Sequence, residues 1–178
     1  LVNAALYHLV SAAGYGGGLP QAPPGPESKY RPGIAHRLDV GTSGAIVVTK
    51  TTAAFSGLSQ AFASREVEKT YIAVVAGLRQ AYRGHKPGGG HLIDFPIGRS
   101  PVEWRRMAHV PEASGGKVSS SRVRALAEDK VGNLALVEVR PRTGRTHQIR
   151  VHLAEARTPV LGDTLYGGPC ANRRFSGP

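Results

Sequence analysis

The stretch Val131-Gly132-Asn133-Leu134-Ala135-Leu136-Val137-Glu138-Val139-Arg140 decides how this chain folds. Its first three residues are a turn signal. After them, Ala135, Val137 and Val139 alternate with Leu134, Leu136, Glu138 and Arg140. Strand side chains alternate faces, so the pattern predicts a strand over 133–140 with one apolar face against a core. Upstream, residues 117–127 read as the other arm of a hairpin. A further strand is predicted over 66–77, where Val67, Lys69, Tyr71, Ala73 and Val75 face opposite to Glu68, Thr70, Ile72 and Val74. Shorter strand pieces lie at 92–94 and 107–110. Helical spacing marks residues 1–13 through Val2, Leu6, Leu9, Val10 and Ala13. It also marks a helix from Thr51 or Thr52 to about Ser64, with Phe55, Leu58, Ala61 and Phe62 inward. Many short strands and few helices, not strictly alternating, predict an α+β fold on a mixed, mainly antiparallel sheet with a few flanking helices.

The 178 residues suit one domain, 1–178, with Gly/Pro-rich insertions near 14–33 and 84–91. From an apolar start in mid-helix we expect a fragment whose N-terminus lies upstream. The net charge is +11, which points to a polyanionic partner, nucleic acid before membrane. The single Cys170 excludes an internal disulfide framework or a cysteine zinc cluster and fits a reducing compartment. No apolar run approaches the ~20 residues that span a bilayer, and no basic leader precedes the apolar start. Gly16-Gly17-Gly18 and Gly88-Gly89-Gly90 lack the Gly-Lys-Ser/Thr of a phosphate loop, and both read as flexible surface insertions.

Two stretches carry chemistry. In His36-Arg37-Leu38-Asp39-Val40-Gly41-Thr42-Ser43-Gly44 a lone acid sits between a basic pair and a Gly-rich turn. Ile46 to Thr49 follow as a predicted buried strand. On this stretch alone Asp39 is either a turn residue or a carboxylate held still for chemistry. The second stretch runs from Arg140 to Leu153. Arg140, Arg142, Arg145 and Arg150 fall within eleven positions with no acid between them. Thr146 is the predicted N-cap of a helix with Ile149, Leu153 and Ala156 on one face. His147, Arg150, Val151 and Ala154 share another. Guanidinium groups beside a helix N-terminus suit phosphate oxygens. His36, His147 and His152 have no Cys or carboxylate at ligand spacing, which argues against a metal site. Residues 158–168 read as a packed loop.

These motifs, in this order, resemble the RluA-type family of RNA pseudouridine synthases. The likeness rests on the Leu1 to Leu9 helix, His-Arg-Leu-Asp-x-x-Thr-Ser-Gly at 36–44 and Lys69 to Gly77. It continues through Pro96-Ile97-Gly98-Arg99, the run Arg142 to His152, and Leu161-Gly162-Asp163-x-x-Tyr166-Gly167-Gly168. It implies the family's catalytic domain fold and isomerisation of specific uridines in rRNA or tRNA, with no metal or other cofactor. By the same likeness Asp39 is the catalytic aspartate. Tyr71 packs on the target base and handles the C5 proton, Arg150 pairs with the aspartate, and Leu161 walls the base. Arg37, Thr42, Arg142, Arg145, His147 and Gln148 are the expected RNA contacts, with His36 open as a mere support of its loop. A monomer is expected, in the cytoplasm of a bacterium or in a mitochondrion or plastid of a eukaryote. The chain departs from the pattern in lacking a strand and a Lys-Pro segment ahead of the opening helix and a strand after the final Gly-Gly. The Gly/Pro stretch 14–27 is longer than the pattern, and Trp104 replaces a polar residue. The competing function is a catalytically silent RNA-binding relative or RNA chaperone. A glycoside hydrolase would need a second, matched carboxylate.

Overall fold

The computed structural model describes residues 2–8 and 33–168. Its contacts gather into two compact units, Leu1–Val67 and Glu68–Pro178.

The first unit holds helix α1 (Val2–Leu6) and helix α2 (Thr52–Ala63). Of the helix expected over 1–13, residues 9–13 lie outside the described residues, as does nearly all of the insertion 14–33. Thr51 caps α2 as predicted, its side chain accepting from the Ala54 N–H at 3.2 Å. Phe55 is buried, and Leu58, Ala61 and Phe62 share its side of the helix half-buried. The strand expected over 46–49 is a correction. These residues join no ladder. Only Thr49 is buried, its N–H and Oγ1 donating to the Gly33 carbonyl at 2.9 and 3.0 Å. β-branched bulk favours extended backbone, but a strand exists only where a second segment supplies its hydrogen bonds.

In the second unit four strands order as β1 (Tyr71–Ala76), β6 (Leu134–Pro141), β5 (Ser120–Asp129) and β2 (His91–Asp94). A separate hairpin joins β3 (Ile97–Arg99) to β4 (Met107–His109). Every ladder among the described residues is antiparallel, in keeping with the expected α+β fold on a mainly antiparallel sheet. The β5–β6 hairpin turns where the sequence placed it. Asp129 Oδ1 accepts from the N–H groups of Val131 and Gly132, and Asn133 takes a left-handed φ of 51°.

Alternation fixes the inner face. Val75, Val123, Val137 and Val139 are fully buried with Ala135, and helix α3 (Gln148–Glu155) drops Leu153 and Ala156 among them. Each such aliphatic side chain contributes about 1.5–3 kcal/mol by leaving water. The opposite side of α3, through Val151 and Ala154, packs with Ile97 and Met107 of the β3–β4 hairpin and with Tyr166 of the loop after α3. The helix is therefore clamped between two sheets, which is why its apolar residues fall on two faces. On the sheet's outer face Arg124 donates to both oxygens of Glu138, and that bonding holds the Glu138 carboxyl below its usual range.

The segment 84–91, expected as an insertion, makes specific contacts. Gly89 closes a turn onto the Lys86 carbonyl, and Gly90 lies against the β5 backbone with φ 145°. A Cβ there would stand 3.0 Å from the Val123 carbonyl oxygen, so only glycine fits both the angle and the gap.

His152 is buried within the clamp. Its ring nitrogens lie 2.9 Å from Ser121 Oγ and 3.2 Å from Ser119 Oγ, and its edge meets Phe95. Burial pushes the imidazole down to about 4, outweighing a hydrogen bond with the Phe95 backbone and the charge of Asp94, which raise it. The unfolded chain takes up this proton near pH 6.5, the ordinary value. Stability from His152 is thus complete above pH 6.5 and is lost as pH falls toward 4, by roughly 3 kcal/mol. Thermal melts across that window check it: His152→Gln flattens the slope, whatever its effect at neutral pH. Among the described residues no helix is long and apolar enough to cross a membrane.

Candidate active site

Asp39, Arg37 and Thr42 belong to the first unit; the other expected site residues belong to the second.

In the first unit the Thr42 N–H donates to the Asp39 carbonyl at 3.0 Å, closing the turn, and Gly41 takes a φ of 82° that glycine adopts freely. Asp39 is half-buried, while Arg37 and Thr42 are exposed. His36 braces the loop: its Nε2 accepts from the Val47 N–H at 2.9 Å and its ring stacks on Phe62 at 4.9 Å. A side chain on this turn is held from the backbone outward, as a reacting group requires.

In the second unit three segments converge. Tyr71 opens β1 opposite Val139, half-buried on the inner face. Two residues earlier on the same side, Lys69 Nζ donates to the Thr143 carbonyl at 3.0 Å, and burial lowers its pKa. That bond brings the Tyr71 end of the strand to the arginine loop. Leu161 reaches the same strand from the other edge, donating its N–H to the Val74 carbonyl at 2.9 Å.

The arginine loop is built around Gln148. This residue was expected to touch RNA, but it is only 4% exposed. Its Oε1 accepts from Thr143 Oγ1 at 2.6 Å and from the Arg145 N–H at 3.0 Å. Its Nε2 donates to the Ser120 carbonyl at 2.9 Å and to Ser121 Oγ at 3.0 Å. All four hydrogen-bonding positions of the amide are filled, so Gln148 pins the loop to β5 instead of facing solvent. Arg142 is left exposed, and Arg145 donates through Nε to the Val118 carbonyl. The N-cap is also corrected. It is His147, not Thr146, in a left-handed conformation with φ 55° and no capping side chain. The carbonyl of His147 accepts from Val151, and its Nδ1 lies 2.8 Å from the Tyr166 hydroxyl.

Arg150 makes the best-defined ion pair. Its Nε and Nη2 donate to Asp163 Oδ2 and Oδ1 at 2.7 and 2.9 Å, a bidentate geometry that fixes the guanidinium plane. Asp163 Oδ1 also accepts from the N–H groups of Leu165 and Tyr166. Burial alone raises the Asp163 pKa, but Arg150 and the two backbone donors outweigh it and hold the carboxyl below its usual value. The Arg150 guanidinium lies 4.8 Å from the Tyr166 ring centroid. The Tyr166 hydroxyl accepts from the Met107 N–H at 2.8 Å, and burial raises its pKa.

Sequence reasoning assigned no role to Lys69, Asp163 or Tyr166. A signal existed for the last two: an Asp whose side chain accepts from the backbone two and three residues on is a local turn device, and Asp163-x-x-Tyr166 has that spacing. Among the described residues no three His, Cys, Asp or Glu side chains gather as a metal site.

Comparison with known proteins bears on this arrangement. The family model described as RNA pseudouridylate synthase matches residues 19–155. Ribosomal large subunit pseudouridine synthase D of Zymomonas mobilis is 39% identical over 167 residues, 94% of this chain and 46% of that protein. RNA pseudouridine synthase 2, chloroplastic, of Arabidopsis thaliana is 38% identical over 144 residues, 79% of this chain and 32% of that protein. The structure of human RNA pseudouridylate synthase domain containing 1 superposes with a TM-score of 0.68 at 30% identity, over 84% of this chain and 61% of that one. The chain spans about half the length of the bacterial relatives it matches.

Proposed function

This chain belongs to the RNA pseudouridylate synthase family, and on that premise we propose that it isomerises uridine in RNA to pseudouridine, with Asp39 as the reacting carboxylate. The observation that carries this reading is the extent of the family match, which takes in Asp39, Tyr71 and Arg150 together.

The chemistry suits these residue types. The N1–C1′ bond breaks, the uracil turns, C5 joins C1′, the C5 proton leaves and N1 gains one, so atoms balance without a co-reactant. A carboxylate at the sugar serves this by attacking C1′ or by taking the 2′ proton. Asp39 fills that role on either route. Tyr71 packs on the base and moves the C5 proton, and Leu161 closes the base's other side. Arg150 supplies positive charge to the reacting carboxylate, its plane set by Asp163 and Tyr166. Arg37, Arg142 and Arg145 hold phosphates on either side of a uridine drawn out of its stack. His147 and Thr42 serve as further RNA contacts, and Gln148 serves only by fixing the loop. The chain acts as a monomer, on ribosomal or transfer RNA.

Pseudouridine maps of total RNA from cells with and without the gene test the reading. Loss of modification at one or a few uridines is expected. Identical maps overturn it.

A further inference from the structure

The loop 100–106 at the tip of the β3–β4 hairpin is needed neither by the core nor by the reaction, yet its backbone is firmly set. Ser100 Oγ accepts from the Val102 and Glu103 N–H groups at 3.3 and 3.2 Å. The Arg106 N–H donates to the Glu103 carbonyl, and the Ser100 N–H to the Arg106 carbonyl. Arg99 Nη1 donates to the Trp104 carbonyl at 2.7 Å.

On this frame Trp104 stands 71% exposed. An indole is among the side chains that gain most from burial, so holding one in water on an ordered turn calls for a partner. The surroundings say which kind. Arg105 places its guanidinium 5.1 Å from the Trp104 centroid, and Arg99 and Arg106 flank a single acid, Glu103. A flat aromatic face beside guanidinium groups, on a chain of net charge +11, matches a nucleobase with its phosphate. It does not match an apolar protein surface: the only other large apolar side chain exposed at this tip is Val102. The loop is also tied to the site. Met107, directly after it, donates its N–H to the Tyr166 hydroxyl, and Arg106 lies 5.2 Å from the Tyr166 ring that also carries Arg150.

We propose that Trp104 is a stacking platform for an unpaired base of the RNA, outside the reacting uridine, with Arg105 and Arg99 on the adjoining phosphate. This rests on RNA being the ligand of the chain, as argued above.

Trp104 is the sole tryptophan, so intrinsic emission reports this ring alone. The full chain is titrated at fixed salt with single-stranded oligoadenylate of about 12 nucleotides, with a duplex of the same length, and with inorganic polyphosphate. Saturable quenching by the single strand, with little response to the duplex or to polyphosphate, is expected. Trp104→Ala is expected to weaken binding of a labelled oligoadenylate roughly tenfold, with Trp104→Phe in between and thermal melts unchanged. Four results overturn the proposal: no quenching by the single strand at any concentration, equal quenching by polyphosphate, wild-type affinity in Trp104→Ala, or self-association of the chain that Trp104→Ala abolishes. The assay involves no turnover, so the two readings fail separately. Quenching without pseudouridine formation sinks the reaction alone, and pseudouridine formation with an unresponsive Trp104 sinks the stack alone.

Discussion

Asp39→Asn leaves a folded, RNA-binding chain that forms no pseudouridine. The rate is expected to fall by at least about 10⁴-fold, with RNA affinity within about threefold because phosphate contacts supply most of it. The turn survives because the Asp39 backbone carbonyl, not its side chain, accepts from Thr42. Asn keeps the volume and loses the charge and the reactive oxygen that both routes need. Chromatography of nucleosides from treated RNA, together with filter binding, separates the two quantities. Undiminished turnover in Asp39→Asn removes the residue from the reaction. A wild-type chain that binds RNA through Arg142 and Arg145 but never modifies it is the silent RNA-binding relative.

Asp163→Ala is expected to destabilise the second unit by about 3 kcal/mol, because it breaks a half-buried pair from one side and strips two backbone N–H groups of their acceptor. The carboxylate takes both Arg150 bonds and the N–H groups of Leu165 and Tyr166, with only 4% of its side chain exposed. In a chain of this size the loss lowers Tm by roughly 10 °C. Activity falls further than folding accounts for, since the plane of Arg150 is no longer fixed. Asp163→Asn, which keeps a carbonyl for the backbone donors, recovers part of the stability and little of the activity. Melts and rates on the three proteins check this, and an Asp163→Ala chain that melts like wild type contradicts the role given to the pair.

The second unit was legible in the sequence wherever the period of the side chains matched the pleat. Ala135, Val137 and Val139 are the buried face that alternation named, and Lys69, Tyr71, Ala73 and Val75 line the inner side of their strand. The α3 residues divided into two faces, and the structure gives each face its own sheet to pack on. What period cannot carry is the identity of a partner. Residues 46–49 have the bulk of a strand, but a ladder depends on a second segment that local sequence does not reveal. Gln148 reads as a polar surface group until Thr143, Ser120 and Ser121 are seen around its amide. His147 ends the loop in the left-handed region that few non-glycine residues adopt, its ring on the Tyr166 hydroxyl distant in sequence. Of the candidate site, the motifs named Asp39, Tyr71 and Arg150 and the Asp163-x-x-Tyr166 spacing hinted at Asp163, whereas Lys69 emerges only from its bond across the fold.

The most direct measurement follows the hydrogen at C5. RNA carrying uridine tritiated at C5 is incubated with the wild-type chain and with Asp39→Asn, and tritium released to water is counted. Forming the C5–C1′ bond must expel that hydrogen, so the wild type is expected to release tritium in step with pseudouridine formed, and Asp39→Asn to release none. Equal release from both proteins, or none from a wild-type chain that binds the RNA, contradicts the account.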